Sequence, residues 1–188
     1  MTEPRPRAAR AGDYEAIAAA VDDWWGRPVL GALPRLFLDH FHRTSLVIDG
    51  PGGPLAFLVG ILSPSDPRQA YIHFAGVAPQ ARRQGLAELL YAEFFALARA
   101  DGRTAVAAVT APVNTGSVAF HRAMGFSVTG PVPGYDGPGR DLVRFDRALL
   151  EFPRATTVRT GRSCPITVVS GLVCMLRAVY ARVGDSLG

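Results

Sequence analysis

Residues 75–87 read Ala-Gly-Val-Ala-Pro-Gln-Ala-Arg-Arg-Gln-Gly-Leu-Ala. An apolar strand-like run, Ala70–Val77, leads into a polar and basic segment, Pro79–Gln84. From Gly85 to Ala100, Leu86, Leu89, Leu90, Phe94 and Leu97 recur at helical spacing, which predicts a long amphipathic helix. The first turn of such a helix has about four N–H groups without partners and the positive end of the dipole. Small residues there, Gly85 and Ala87, let an anion approach the backbone. Arg82 and Arg83 add charge, Gln84 adds an amide, and the whole suits a pyrophosphate. A phosphate-binding P-loop would need Gly-Lys-Ser/Thr, and a dinucleotide fold would need G-x-G-x-x-G; Gly85 is followed instead by Leu-Ala-Glu-Leu-Leu.

The pattern outside this stretch alternates strands and helices. Arg5–Arg10 is a short first strand. Asp13 is a good N-cap for a helix ending near Trp24-Trp25-Gly26, and a second helix is expected from about Leu33-Pro34. Ser45–Asp49 and Leu55–Leu62, joined by Gly50-Pro51-Gly52-Gly53, form a hairpin. After the long helix come a buried strand at Thr104–Val109, a helix at Asn114–Met124, a strand starting at Phe126 and a last strand at Leu142–Phe145. The order predicts an α/β fold: a mixed sheet of about seven strands flanked by about four helices. Within the fourth strand, alternation places Tyr71 and His73 on one face and Ile72 and Phe74 on the other.

Composition narrows the class. The 188 residues are 48% apolar and 19% charged, too apolar for a disordered chain. Two cysteines make no disulfide framework, and no Cys/His spacing suggests zinc. His40 and His42, two apart on a helix, point to different faces, so no metal is expected. No apolar leader or bilayer-length run marks the chain, so a cytoplasmic protein is expected. The net charge of +4 is confined to residues 154–188, which hold five arginines against one aspartate. The body therefore has no overall positive field, and nucleic acid is not an expected partner.

Arg82-x-x-Gly85-x-Ala87, preceded by Val77-x-Pro79, resembles the coenzyme A loop of the GNAT superfamily of N-acetyltransferases. Downstream, Asn114 and then Ser117-Val-Ala-Phe-His-Arg-Ala-Met-Gly-Phe126 resemble that family's second motif, N…A-x-x-F-Y-x-x-x-G-F. The resemblance covers roughly residues 4–150, within a domain drawn at 1–153. It implies acetyl-CoA as co-substrate, lying between the splayed fourth and fifth strands against Ala75, Gly76 and Val77. Arg82, Arg83, Gln84, Gly85, Leu86 and Ala87 would hold the diphosphate, with Asn114, Ser117 and Phe120 along the arm. An N–H aimed at the thioester oxygen would stabilise the charge that develops there, typically worth about 10²–10³ in rate.

The departure from the family pattern is His121, where Tyr is usual as the proton donor to the thiolate. An imidazole can donate a proton too, or it can merely pack. His73 is a candidate base, or else a buried histidine satisfied by its neighbours. Asn114 is a candidate ligand, or a helix cap, or both. For the acceptor, a small-molecule or peptide amine, Asp23, Trp24, Trp25 and Tyr71 are candidate contacts, since ammonium groups favour carboxylates and aromatic faces; the plainer reading buries the tryptophans in the core. Tyr135, in a Gly/Pro-rich loop, is a candidate second donor.

In the basic tail at 154–188, Val168, Val169, Leu172, Val173, Leu176, Val179, Tyr180 and Val183 predict an amphipathic helix at about 166–183. Docking or homodimer formation is favoured for it over an anionic lipid surface. The function expected is transfer of acetyl from acetyl-CoA to a primary amine in a ternary complex. The alternative is a non-catalytic acyl-CoA-binding regulatory domain.

Overall fold

The computed structural model describes residues 4–149. The tail helix expected at 166–183, both cysteines and the boundary at 153 lie outside them. Seven strands and four helices follow in the expected order: β1 (Arg7–Ala8), α1 (Asp13–Trp25), α2 (Leu36–Phe41), β2 (Leu46–Gly50), β3 (Gly53–Leu62), β4 (Gln69–Val77), α3 (Leu86–Ala100), β5 (Ala105–Thr110), α4 (Thr115–Ala123), β6 (Ser127–Val132) and β7 (Leu142–Ala148). The sheet order is β1-β2-β3-β4-β5-β7-β6, with β4 and β5 parallel and the other neighbours antiparallel.

Helices cover both faces. Phe57 and Gly60 of β3, three residues apart, lie on opposite faces. Phe57 packs on Trp24 of α1, with centroids 5.8 Å apart, while the space over Gly60 holds Phe94 of α3. The stripe of α3 is rotated from the one expected. Leu89 is exposed, and the buried set is Leu86, Leu90, Tyr91, Phe94, Phe95 and Ala98. The aromatic members turn the helix: Tyr91 and Phe95 pack edge-on or tilted against Phe120 and Phe126.

Two features decide the site. The β4–β5 ladder runs only from Gln69/Ala105 to Ile72/Ala108, after which β5 stays with β7 up to Thr110/Val143. The β5-facing edge of β4 from His73 to Val77 is left without a strand partner. On its other edge β4 carries an extra residue: Val59 pairs with Phe74, but Gly60 pairs with Ile72, so His73 is bulged. The bulge breaks the expected alternation. His73 stacks on Phe37 of α2, and Phe74 packs on Trp25 of α1, so both rings reach the side covered by α1 and α2.

Asp13 is not the N-cap. Gly12 occupies that position and Asp13 is the first helical residue. Its carboxylate accepts from the backbone N–H of Arg10 and from both terminal nitrogens of Arg7, at 2.8–3.0 Å, while Arg7 also grips Asp49. This ties β1 to α1 and β2. The Arg7 guanidinium holds the Asp13 carboxyl below its usual range. A carboxylate with a depressed folded pKa contributes stability above the ordinary value of about 3.9 and loses it as pH falls further. Arg7→Gln is therefore expected to cost about 1 kcal/mol at pH 7, allowing for partial exposure. Urea melts should show the gap to wild type closing below about pH 4. A gap constant from pH 7 to pH 3 would contradict the assignment.

Candidate functional site

Two cavities flank the free edge of β4. One, of about 470 Å³, runs from Gly76 and Val77 past Arg82, Ala87 and Leu90 to Gly116 and Phe120. The other, of about 660 Å³, lies under Arg27, Val29 and Ala32 on one side and Tyr135, Asp136 and Leu142 on the other, with Tyr71 and His73 in its wall. They meet at a common wall of Trp25, Ala75, Tyr91, Asn114, Ser117 and His121. A molecule in each would touch the other there.

The smaller cavity leads to the start of α3. Gly85, its N-cap, has φ +77°, a left-handed conformation that costs glycine nothing, and a Cβ there would meet no atom within 4 Å. Among the described residues no side chain caps this end, so the first-turn amides keep their polar character for a ligand. The chain enters it through Arg83, also left-handed at φ 62°. These residues fit a diphosphate: open space, free amide donors and an exposed guanidinium at Arg83. Leu86 contributes backbone alone, since its side chain is buried. Gln84 is spent on the carbonyl of Gln80, at 3.2 Å. Arg82 also differs from expectation: its guanidinium donates to the carbonyls of Val77 and Trp24, pinning the end of α1 to the end of β4.

The tryptophans divide. Trp24 is a core residue, and Asp23 is exposed and lines neither cavity. Trp25 lines both, where glycine at position 76 makes room for it: a Cβ on Gly76 would lie 2.4 Å from the indole. Asp22 is structural, accepting from the N–H groups of Val29 and Leu30 at 2.7 and 2.8 Å and so shaping the turn over the larger cavity.

His73 has its Nε2 2.8 Å from the carbonyl of Ala32 and its ring 3.8 Å from that of Phe37. A carbonyl only accepts, so Nε2 carries the proton. Burial lowers the pKa of this ring. The Tyr71 phenol nearby is pushed up to about 12, first by burial and then by the negative potential of Tyr135 and Asp136. Tyr135 itself is half exposed at the rim. Asn114 is the N-cap of α4, accepting from the N–H of Ser117 at 3.3 Å and donating to Thr110 at 3.1 Å, and it also lines both cavities.

His121 is buried at 5% exposure and stacks on Phe145 at 3.9 Å. Its Nδ1 is 2.8 Å from the Ser117 carbonyl and therefore carries the proton, which leaves Nε2 to accept from the Tyr91 hydroxyl at 3.1 Å. Burial lowers its pKa, so the ring is neutral near pH 7. Neither nitrogen is free. Tyr91 is the residue that sequence reasoning passed over. The signal for it was a phenol on an otherwise apolar helix stripe, since a buried hydroxyl needs a partner. Among the described residues no group of three or more His, Cys, Asp or Glu side chains could hold a metal ion.

A sequence model of the acetyltransferase (GNAT) family matches residues 14–126. No curated protein matches the sequence. Among solved structures, Ard1 from Thermoplasma volcanium is similar at 22% identity and a TM-score of 0.67, over 80% of this chain and 100% of that one. The diaminobutyrate acetyltransferase EctA from Paenibacillus lautus, in complex with its substrate L-2,4-diaminobutyric acid and coenzyme A, is similar at 18% identity and 0.63, over 80% and 98%. The protein yncA from Salmonella typhimurium, solved with its cofactor acetyl-CoA, is similar at 20% identity and 0.61, over 89% and 100%. At such identities the structural likenesses speak for the fold, which is that of a GNAT domain. The sequence match spans more than half of the chain, from α1 to the end of the second motif, and on that ground the chain belongs to the GNAT family of acetyltransferases.

Proposed function

We propose that this acetyltransferase moves the acetyl group of acetyl-CoA onto a primary amine, of a small molecule or a peptide, by direct attack while both are bound. The observation that carries the proposal is the junction of the two cavities beside the unpaired edge of β4. Acetyl-CoA supplies the activated acetyl thioester. The amides opening α3 and the guanidinium of Arg83 hold its diphosphate end. The free edge of β4 at Ala75, Gly76 and Val77 offers backbone donors and acceptors to the extended arm, and one such N–H directed at the thioester oxygen stabilises the charge developing there. The structures of EctA and yncA, which share this fold and were solved with coenzyme A and acetyl-CoA, support the choice of donor.

The larger cavity takes the amine. Trp25, Tyr71 and Tyr135 present aromatic faces and Asp136 a carboxylate, a lining that draws an ammonium group in from water. The substrate of EctA, L-2,4-diaminobutyric acid, carries amino groups, which supports an amine here. His73 is a positioning residue: its bond to Ala32 ties the turn between α1 and α2 to β4 and so fixes one wall. Holding both reactants at one junction supplies much of the acceleration by orientation.

A second reading, binding of acyl-CoA without transfer, is favoured by one observation: both nitrogens of His121 are engaged within the protein. A thiol-release assay with acetyl-CoA separates the two. Release is expected with primary amines and absent with the same compounds already N-acetylated. Calorimetry that finds acetyl-CoA bound while every free amine fails would favour the regulatory domain.

The donor groove has its own test. Ala87→Trp fills it at the start of α3 and is expected to weaken acetyl-CoA binding about tenfold or more, with thermal stability retained because position 87 is partly exposed. An unchanged Kd would place the donor elsewhere.

A further inference from the structure

The wall shared by the two cavities contains a buried phenol and a buried imidazole hydrogen-bonded to each other, Tyr91 of α3 and His121 of α4. The resemblance implied a single donor on α4 and gave Tyr91 no role. Reaching across to α4, the phenol of Tyr91 places a hydroxyl beside the side chain that stands where the family's tyrosine would be. The order of the bonds gives the pair a direction. The Ser117 carbonyl fixes the proton of His121 on Nδ1, so Nε2 presents its lone pair to the Tyr91 hydroxyl. An imidazole so held is a base acting through a hydroxyl, and as the imidazolium it becomes an acid through the same hydroxyl.

We propose that Tyr91 is the group that exchanges protons with both reactants, and that His121 is a positioning residue which stores the proton between the two transfers. The inference rests on the acetyl-transfer reading above. As the amine nitrogen bonds to the acetyl carbon, Tyr91 Oη takes a proton from that nitrogen while its own passes to His121 Nε2. The C–S bond breaks with its electron pair leaving on sulfur. The proton on Nε2 then returns to Oη, and the Tyr91 hydroxyl proton passes to the sulfur. One N–H and one C–S bond are lost, one N–C and one S–H bond are made, and the protein ends as it began.

The surroundings suit such a store. The ring of His121 is packed by Phe145 of β7 at 3.9 Å, by Phe126 at 5.0 Å, by Phe120 on its own helix at 5.7 Å and by Tyr91 of α3 at 5.6 Å. Ser117 is its polar neighbour on α4. Among these contacts Tyr91 is the one titratable group and none carries a charge. Burial therefore keeps the resting ring neutral and ready to accept, while it also keeps the Tyr91 phenol protonated by raising its pKa.

The test uses the full chain with acetyl-CoA and three acceptors, L-lysine, L-2,4-diaminobutyrate and a tripeptide with a free N-terminus. Wild-type kcat is expected to fall on an acid limb below pH 6.5, where protonation of His121 removes the acceptor lone pair. Tyr91→Phe is expected to lower kcat about 10²-fold or more while the Kd for acetyl-CoA stays within about twofold. His121→Gln, which can hold the Tyr91 hydroxyl but cannot store a proton, is expected to lose the acid limb as well as rate, an effect that packing alone would not produce. Nitrogen NMR on the wild-type protein adds a measurement that needs no variant to fold: it should show His121 protonated on Nδ1 and bare on Nε2. A Tyr91→Phe enzyme with wild-type kcat and acid limb, or a His121 protonated on Nε2 at neutral pH, overturns the inference while leaving acetyl transfer intact. A wild-type protein that binds no acetyl-CoA, or binds it without turnover, defeats the transfer reading and this inference with it.

Discussion

Everything at the site follows from β4 and β5 parting company after Ile72 and Ala108. A parallel ladder that continued would bury the backbone of both strands and leave no groove. Here β5 keeps its hydrogen bonds to β7 as far as Thr110, while β4 reaches Val77 with one edge open. Unpaired backbone groups inside a protein must find partners or water. An extended ligand with amides of its own could supply such partners, and the loop after β4 leads from the free edge to the start of α3. The bulge at His73 works on the opposite edge of the same strand, turning the two aromatic rings of His73 and Phe74 together toward α1 and α2 and so forming the back of the larger cavity.

The contacts that hold this gap in shape are polar ones made by residues of apparent functional type. Arg82 clamps the carbonyls of Val77 and Trp24, and Asp22 gathers the amides of Val29 and Leu30. Asn114 caps α4 from inside the junction. Each satisfies backbone groups at the end of an element, where hydrogen bonds within that element run out. These contacts matter for function because the edges of both cavities are such ends: α1 ends at Trp25, α3 opens at Gly85, and α4 opens at Asn114. A loss at any of them would move a wall of the site as well as cost stability.

Much of this was legible in the sequence because it is local. The strand, loop and helix at 70–100 declare themselves through a change of hydrophobic period and two small residues at 85 and 87. The cap at Asn114 and the order of all eleven elements follow from turn residues and spacing. What was illegible depends on contacts between distant segments. Alternation misplaced His73 and Phe74 because a bulge is set by the partner strand. Trp24 and Trp25 are adjacent on one helix, so their side chains diverge by about 100°, and the sequence does not say which faces the core. Spacing alone places Leu89 on the α3 stripe because the aromatic rings that rotate the helix, Phe120 and His121 of α4 and Phe126 just after it, lie in another part of the chain. The link between Tyr91 and His121 spans two helices, and Arg82 finds its carbonyls on α1 and β4; nothing in the spacing of either foretells it.

The central claim is that the acyl donor lies along the free edge of β4 with its diphosphate at the start of α3. Backbone hydrogen exchange, followed amide by amide with and without saturating acetyl-CoA, tests it without knowledge of the acceptor. Slowed exchange should be concentrated at residues 73–77 and 85–88, with the β2–β3 hairpin unchanged. Saturable binding that leaves both segments exchanging as in the free protein would contradict the account.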